Sequence, residues 1–142
     1  CDYNVIITGC GDQPFLRNIK NKEKFIIKPY VSIDELESLY SKAFCFVYPS
    51  LNEGFGYPPL KAMGYNVPVI ASSSTSIPEV CDNAAIYFDP INKEELKNRI
   101  LQIVHRKDLV SLLKERGQKR VSELLQKQEN EIGVVLNWIY NS

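Results

Sequence analysis

"FCFVYPSLNEGFGYPPLKAMG", residues 44–64, reads in three parts. Residues 44–48 are apolar or aromatic and suit a buried strand. Residues 49–56 form a loop in which Gly54 and Gly56 flank Phe55 and a single carboxylate, Glu53, stands just before them. Pro58 and Pro59 then fit only the first turn of a helix, and Gly64 is a natural helix terminator. The segment therefore reads as strand, glycine loop, short helix.

The same strand signal recurs at "NVIITG" (4–9), "KFIIK" (24–28), "VPVIAS" (67–72) and "AIYF" (85–88). Helical pattern separates these runs. In "SIDELESLYSKA", Ser32 stands as N-cap with Glu35 three residues on, a capping box, and Ile33, Leu36, Leu39 and Tyr40 share one face. A second short helix opens at Pro78, in "PEV". Near-continuous apolar strands alternating with helices are what a parallel sheet covered on both faces requires. The expected fold class is α/β, a Rossmann-like open doubly wound parallel sheet with helices on both faces. Residues 1–142 are expected to form one domain, with a β/α core at 1–92 and C-terminal helices over 93–142. Two or three helices are expected there, with a weak break at Gly117.

The 142 residues carry 17 basic and 17 acidic side chains, for a net charge of zero. No basic field marks a nucleic-acid partner and no polybasic cluster marks an anionic bilayer. Cys1, Cys10, Cys45 and Cys81 are scattered, without the spacing of a zinc site or a disulfide framework. They suit reduced thiols in a cytoplasmic protein. No apolar run reaches the roughly 20 residues that span a bilayer. The chain opens on "CDYNVIITG", a strand signal almost at residue 1, which suggests a piece of something longer.

In an open parallel sheet, ligands gather beyond the carboxyl ends of the strands. Three such ends carry chemistry here. In "TGCGD", residues 8–12, Gly9 and Gly11 allow a tight turn and close backbone approach to a ligand, or serve only as a turn. In the opening loop, Gly54 and Gly56 let consecutive N–H groups face one concavity, with the positive end of the following helix behind them. That suits a phosphate, whereas the Glu53 carboxylate suits neutral hydroxyl donors. Together they match a phosphorylated sugar. Alternatively, Glu53 caps the 57–64 helix or its loop. In "SSSTSIPEV", residues 72–80, the hydroxyls can line the same crevice, and Glu79 reads as a first-turn acid favouring its own helix. His105, between helix formers and beside Arg106, reads as a surface residue. Trp138 and Tyr140 read as packing anchors.

The stretch from "FVYPSLNEGFGYPPLKAMG" through "NVPVIASSSTSIPEVCDNAAIYFDPINKEELKNRI", with "FIIKPYVSIDELESLYSKA" before it, resembles the C-terminal nucleotide-sugar-binding domain of retaining glycosyltransferases of the GT-B fold, family four. The resemblance covers about residues 4–104. It implies that Glu53 acts at the donor sugar's hydroxyls and that the amides of Gly54, Phe55, Gly56 and Tyr57 approach the donor. It further implies that backbone near Tyr30 and Val31 flanks the nucleotide base, and that Gly9 and Gly11 line the cleft floor. The family's second motif glutamate, eight positions after the first, falls on Lys61. An ammonium donates but cannot accept, so a paired ribose contact by a carboxylate is lost. Either the donor is held differently or more weakly, or the site is impaired.

The implied reaction moves a sugar from a nucleoside diphosphate sugar to an acceptor hydroxyl with retention. It needs no cofactor and no metal, because basic side chains and helix dipoles support the departing diphosphate. The resemblance places that Arg and Lys, and the acceptor domain, upstream of these residues. Membrane contact, if any, would come through that half. A degenerate sugar-nucleotide-binding scaffold is the alternative. Epimerase or phosphorylase chemistry expects strand-end acids and histidines, or a cofactor lysine; only the oddity of Lys61 points there.

Overall fold

The protein is described by a computed structural model covering residues 3–10 and 21–141, with side chains to residue 134. Among the described residues the chain has five strands and five α-helices, with two short 3-10 turns at Lys22–Lys24 and Asp82–Ala84. The strands are β1 Val5–Thr8, β2 Phe25–Lys28, β3 Phe46–Tyr48, β4 Val69–Ser72 and β5 Ala85–Phe88. The helices are α1 Ile33–Lys42, α2 Tyr57–Gly64, α3 Ile77–Cys81, α4 Lys93–His105 and α5 Lys107–Asn141. Every strand falls inside one of the five apolar runs, and every pairing is parallel. The chain falls into two compact units, divided between Leu39 and Tyr40.

In the first unit β1 pairs with β2, Val5 opposite Phe25 and Thr8 opposite Lys28. These strands are less buried than their apolar sequences imply: Val5 is 46% and Ile26 41% exposed. The Ser32 cap forms, its Oγ accepting from the Glu35 N–H at 3.2 Å. The Glu35 carboxylate turns instead to Lys28 at the end of β2, 2.5 Å away. The box is therefore half a box, because an ammonium competes for the carboxylate that would have reached back to Ser32.

In the second unit the order is β3-β4-β5. The central strand β4 is buried throughout, with a partner on each side. Ile70 packs with Phe88, Ile103 of α4 and Leu113 of α5, and Val47, Ile86 and Leu109 complete that layer. Residues of opposite parity on β3 face the other way: Phe46 lies 5.4 Å, ring to ring, from Tyr40 of α1. Helix α2 supplies Ala62 and Met63, both essentially without exposure. Truncating a side chain such as Ile70 or Leu113 to alanine would cost about 2–5 kcal/mol by the usual core rule.

Two helix ends differ from expectation. Gly64 is the last helical residue of α2, where the sequence placed the helix end, but it does not make the left-handed reversal. The reversal is made by Asn66 at φ 60, with the Asn66 N–H on Met63 O at 2.8 Å and the Val67 N–H on Ala62 O at 3.0 Å. That pair of bonds is a Schellman motif with asparagine in the left-handed position. Nor does Gly117 break the C-terminal helices. The break is at Arg106, and α5 runs straight through Gly117. The glycine is there for contact: a Cβ on it would lie 3.1 Å from Met63 Cγ.

Candidate functional site: the Glu53 loop

Between β3 and α2 the chain carries Glu53 on a loop stitched to the one after β4. The Glu53 N–H donates to Thr75 Oγ1 at 3.3 Å, and Ser76 Oγ donates to Glu53 O at 3.1 Å. Ser72 Oγ donates to Ser50 O at 2.5 Å. The carboxylate itself accepts from Ser50 Oγ at 2.8 Å and from the Tyr48 hydroxyl. These two hydrogen bonds, Tyr48 first and Ser50 second, hold the Glu53 carboxyl below the usual glutamate range. Burial, and then the same carboxylate, push the Tyr48 phenol well above its ordinary value. Glu53 is thus an anion at neutral pH. A carboxylate has about four acceptor positions, and these hydroxyls occupy two.

The helix behind the loop is not capped by Glu53. Its N-cap is Gly56, with no side-chain cap bond. Gly56 is buried at φ 90, a left-handed angle that demands glycine. Gly54 has no such angle, and a Cβ there would meet nothing within 4 Å, so the backbone freedom expected of both glycines is required only at Gly56. Pro58 and Pro59 follow inside the first turn and bring no N–H. Among the described residues, no protein acceptor takes the N–H of Phe55, Gly56 or Tyr57. The loop therefore offers a carboxylate and three amide donors at the positive end of an eight-residue helix. The Phe55 and Tyr57 rings, 43% and 70% exposed, stand 4.7 Å apart beside it.

The family model described as Glycosyl transferases group 1 matches residues 2–120. The chain belongs to that family. Among curated relatives, the O-antigen chain mannosyltransferase RfbU of Salmonella typhimurium is 38% identical over 116 residues, covering 77% of this chain and 33% of the relative. The O-antigen chain mannosyltransferase B of Escherichia coli is 47% identical over 73 residues, covering 51% of this chain and 19% of the relative. The chain thus spans a third or less of the length of these relatives. Among solved structures, sucrose-phosphate synthase from Thermosynechococcus elongatus superposes with a TM-score of 0.72 at 23% identity, covering 84% of this chain and 31% of that one. The crystal structure of TarM superposes with a TM-score of 0.71 at 18% identity, covering 89% of this chain and 28% of that one. These likenesses establish the fold, that of GT-B glycosyltransferases.

Set on this group 1 fold, Glu53, Gly54, Phe55, Gly56 and Tyr57 share one loop and helix entry, and Lys61 lies one turn further along α2. Gly9, Tyr30 and Val31 belong to the first unit. Gly9 ends β1 at φ 73, its N–H on Lys28 O at 3.3 Å, and Tyr30 is 86% exposed between β2 and α1. Gly11 lies outside the described residues, as do the side chains of Trp138 and Tyr140. His105 is exposed at the end of α4. The serine-threonine run grips the backbone of the Glu53 loop, a role not read from sequence. Tyr48 and Ser50 were also missed, although the three-residue spacing of Ser50 and Glu53 is a local signal for such a bond. Among the described residues, no three His, Cys, Asp or Glu side chains group as a metal-ligand set, and no helix is long and apolar enough to cross a membrane.

Proposed function

We propose that this chain is the donor-binding domain of a hexosyltransferase that moves a sugar from a nucleoside diphosphate sugar to an acceptor hydroxyl with retention of configuration. The observation that carries the reading is the Glu53 carboxylate, kept ionised by Tyr48 and Ser50 and standing beside three amide donors. Ionised acceptors make stronger hydrogen bonds than neutral ones, so the carboxylate selects sugar hydroxyls while the amides and helix dipole favour the phosphate side. Glu53 orients the sugar and supports developing positive charge at the anomeric carbon. The amides of Gly54, Phe55, Gly56 and Tyr57 approach the donor, backbone near Tyr30 and Val31 flanks the base, and Gly9 and Gly11 line the cleft. The names of the curated relatives make mannose the first sugar to test and surface polysaccharide synthesis the setting.

In this reading the acceptor site and the basic groups that hold the diphosphate come from outside these residues, and the reaction takes place on the cytoplasmic side without a metal. Chelation by EDTA then leaves transfer unchanged. Lys61, where the family motif has its second glutamate, favours a second reading: a domain that binds donor but turns it over poorly. Calorimetry of the full-length protein with nucleoside diphosphate sugars, mannose among them, tests the first claim. Binding of one donor at micromolar to sub-millimolar level supports it, and no heat with any donor at millimolar concentration sinks it.

A further inference from the structure

Loops after β3 and β4 meet through a clamp on the main chain of Glu53. Thr75 takes its N–H and Ser76 holds its carbonyl, at 3.3 and 3.1 Å. Two further hydroxyls, of Tyr48 and Ser50, hold the carboxylate, and Ser72 holds the carbonyl of Ser50. The clamp has a firm base. Ser76 is the N-cap of α3, and at the other end of that helix the Arg120 guanidinium of α5 donates to the carbonyls of Val80 and Glu79, both at 2.8 Å.

Thr75 is the unusual member. It sits at φ 49, a left-handed angle that a β-branched residue rarely takes. The residue is exposed, so its strained placement brings no buried apolar contact in return. Glycine would adopt the angle without strain but has no hydroxyl. What threonine adds at this point is its Oγ1, and that atom is on Glu53. Backbone strain of this kind persists where its surroundings over-determine it, and it gathers at working sites.

We infer that Thr75 is a positioning residue for the donor site, its hydroxyl fixing the main chain of Glu53 and thereby the direction of the carboxylate. The inference rests on the reading of Glu53 as the donor-sugar acceptor. Because the Glu53 N–H lies where water can replace the lost acceptor, removing the Thr75 hydroxyl disturbs aim more than folding. Stability and donor affinity should therefore part company.

The test compares Thr75→Gly, Thr75→Val, Thr75→Ser and Glu53→Gln in the full-length protein, by thermal melting and by calorimetry with nucleoside diphosphate mannose. Thr75→Gly relieves the strain and removes the acceptor: it should melt at or above the wild-type temperature yet bind donor about tenfold more weakly. Thr75→Val keeps the shape without the acceptor and should lose the same affinity, while Thr75→Ser should bind nearly as the wild type does. If Glu53→Gln weakens donor binding and Thr75→Gly and Thr75→Val do not, the positioning role is overturned and the Glu53 reading stands. If Glu53→Gln binds donor as the wild type does, both fall together. If affinity is lost only in proportion to melting temperature, or if both hydroxyl-free variants unfold, Thr75 is a structural residue and the inference is overturned.

Discussion

Gly117 of α5 lies against Met63 of α2 so closely that a Cβ built on the glycine would stand 3.1 Å from Met63 Cγ and 3.2 Å from Met63 Cβ. Both distances are shorter than ordinary carbon contact. The first atom can swing aside, but Met63 Cβ moves only with its backbone, and Met63 is 1% exposed. Alanine would gain about 1 kcal/mol in helix propensity over glycine. Overpacking a filled core typically costs about 1–3 kcal/mol. Gly117→Ala should therefore be net destabilising, by about 1 kcal/mol, and Gly117→Val more so, as read by urea denaturation. A stabilised Gly117→Ala would show that α2 and α5 can separate freely.

Asn66 closes α2 at φ 60. Asparagine tolerates this angle, glycine adopts it freely, and alanine pays the left-handed penalty of about 1–2 kcal/mol. Thermal melting should rank Asn66→Gly equal to or above the wild type and Asn66→Ala below it. Equal melting of both would mean that the Schellman geometry carries no stability.

Glu95 links β5 to α4: it accepts from the Asp89 N–H at 2.9 Å and pairs with Arg99 at 2.9 Å, while Arg99 Nε donates to Tyr87 O at 2.7 Å. The Asp89 amide first, and Arg99 after it, hold the Glu95 carboxyl below its ordinary range, against partial desolvation. A carboxyl lowered in the folded state contributes stability above the unfolded value of about 4.3 and loses it as pH falls through the folded value. Denaturation midpoints should decline below about pH 4.5, and Glu95→Gln should lower the neutral-pH midpoint and shallow that decline. An unchanged acid slope in Glu95→Gln would remove Glu95 from the account.

Lys61 lies one turn along α2 from Tyr57, and in the proposed reading it stands where a ribose-holding glutamate is expected. If the lysine marks a weakened site, Lys61→Glu in the full-length protein should raise transfer several-fold, mainly through a lower KM for donor. Unchanged or reduced turnover would mark an adapted site instead.

Much of this fold was legible because its signals are local. The five strands lie in short apolar runs, Pro58 and Pro59 announce a first helical turn, and Ser32 announces a cap. What failed were the readings of two glycines, Gly117 for a tertiary reason and Gly64 for a local one, the left-handed residue standing two positions further on. Gly117 resembles a helix break until Met63 is seen beside it, and Gly64 resembles a terminator until Asn66 is seen in the left-handed position. Glu53 could be picked out by its place between a strand and two glycines. Its partners Thr75 and Ser76, 22 and 23 residues away, could not, because hydroxyls in a serine-threonine run carry no mark of which backbone they will meet.

The central claim is that Glu53 grips the sugar of the donor rather than its nucleotide. The most direct measurement is calorimetry of the full-length protein and its Glu53→Gln variant with a nucleoside diphosphate and with the corresponding diphosphate sugar. Replacing a charged acceptor by a neutral one should weaken the diphosphate sugar by about tenfold and leave the bare diphosphate unchanged. Equal losses for the two ligands, or no loss for either, would contradict the claim.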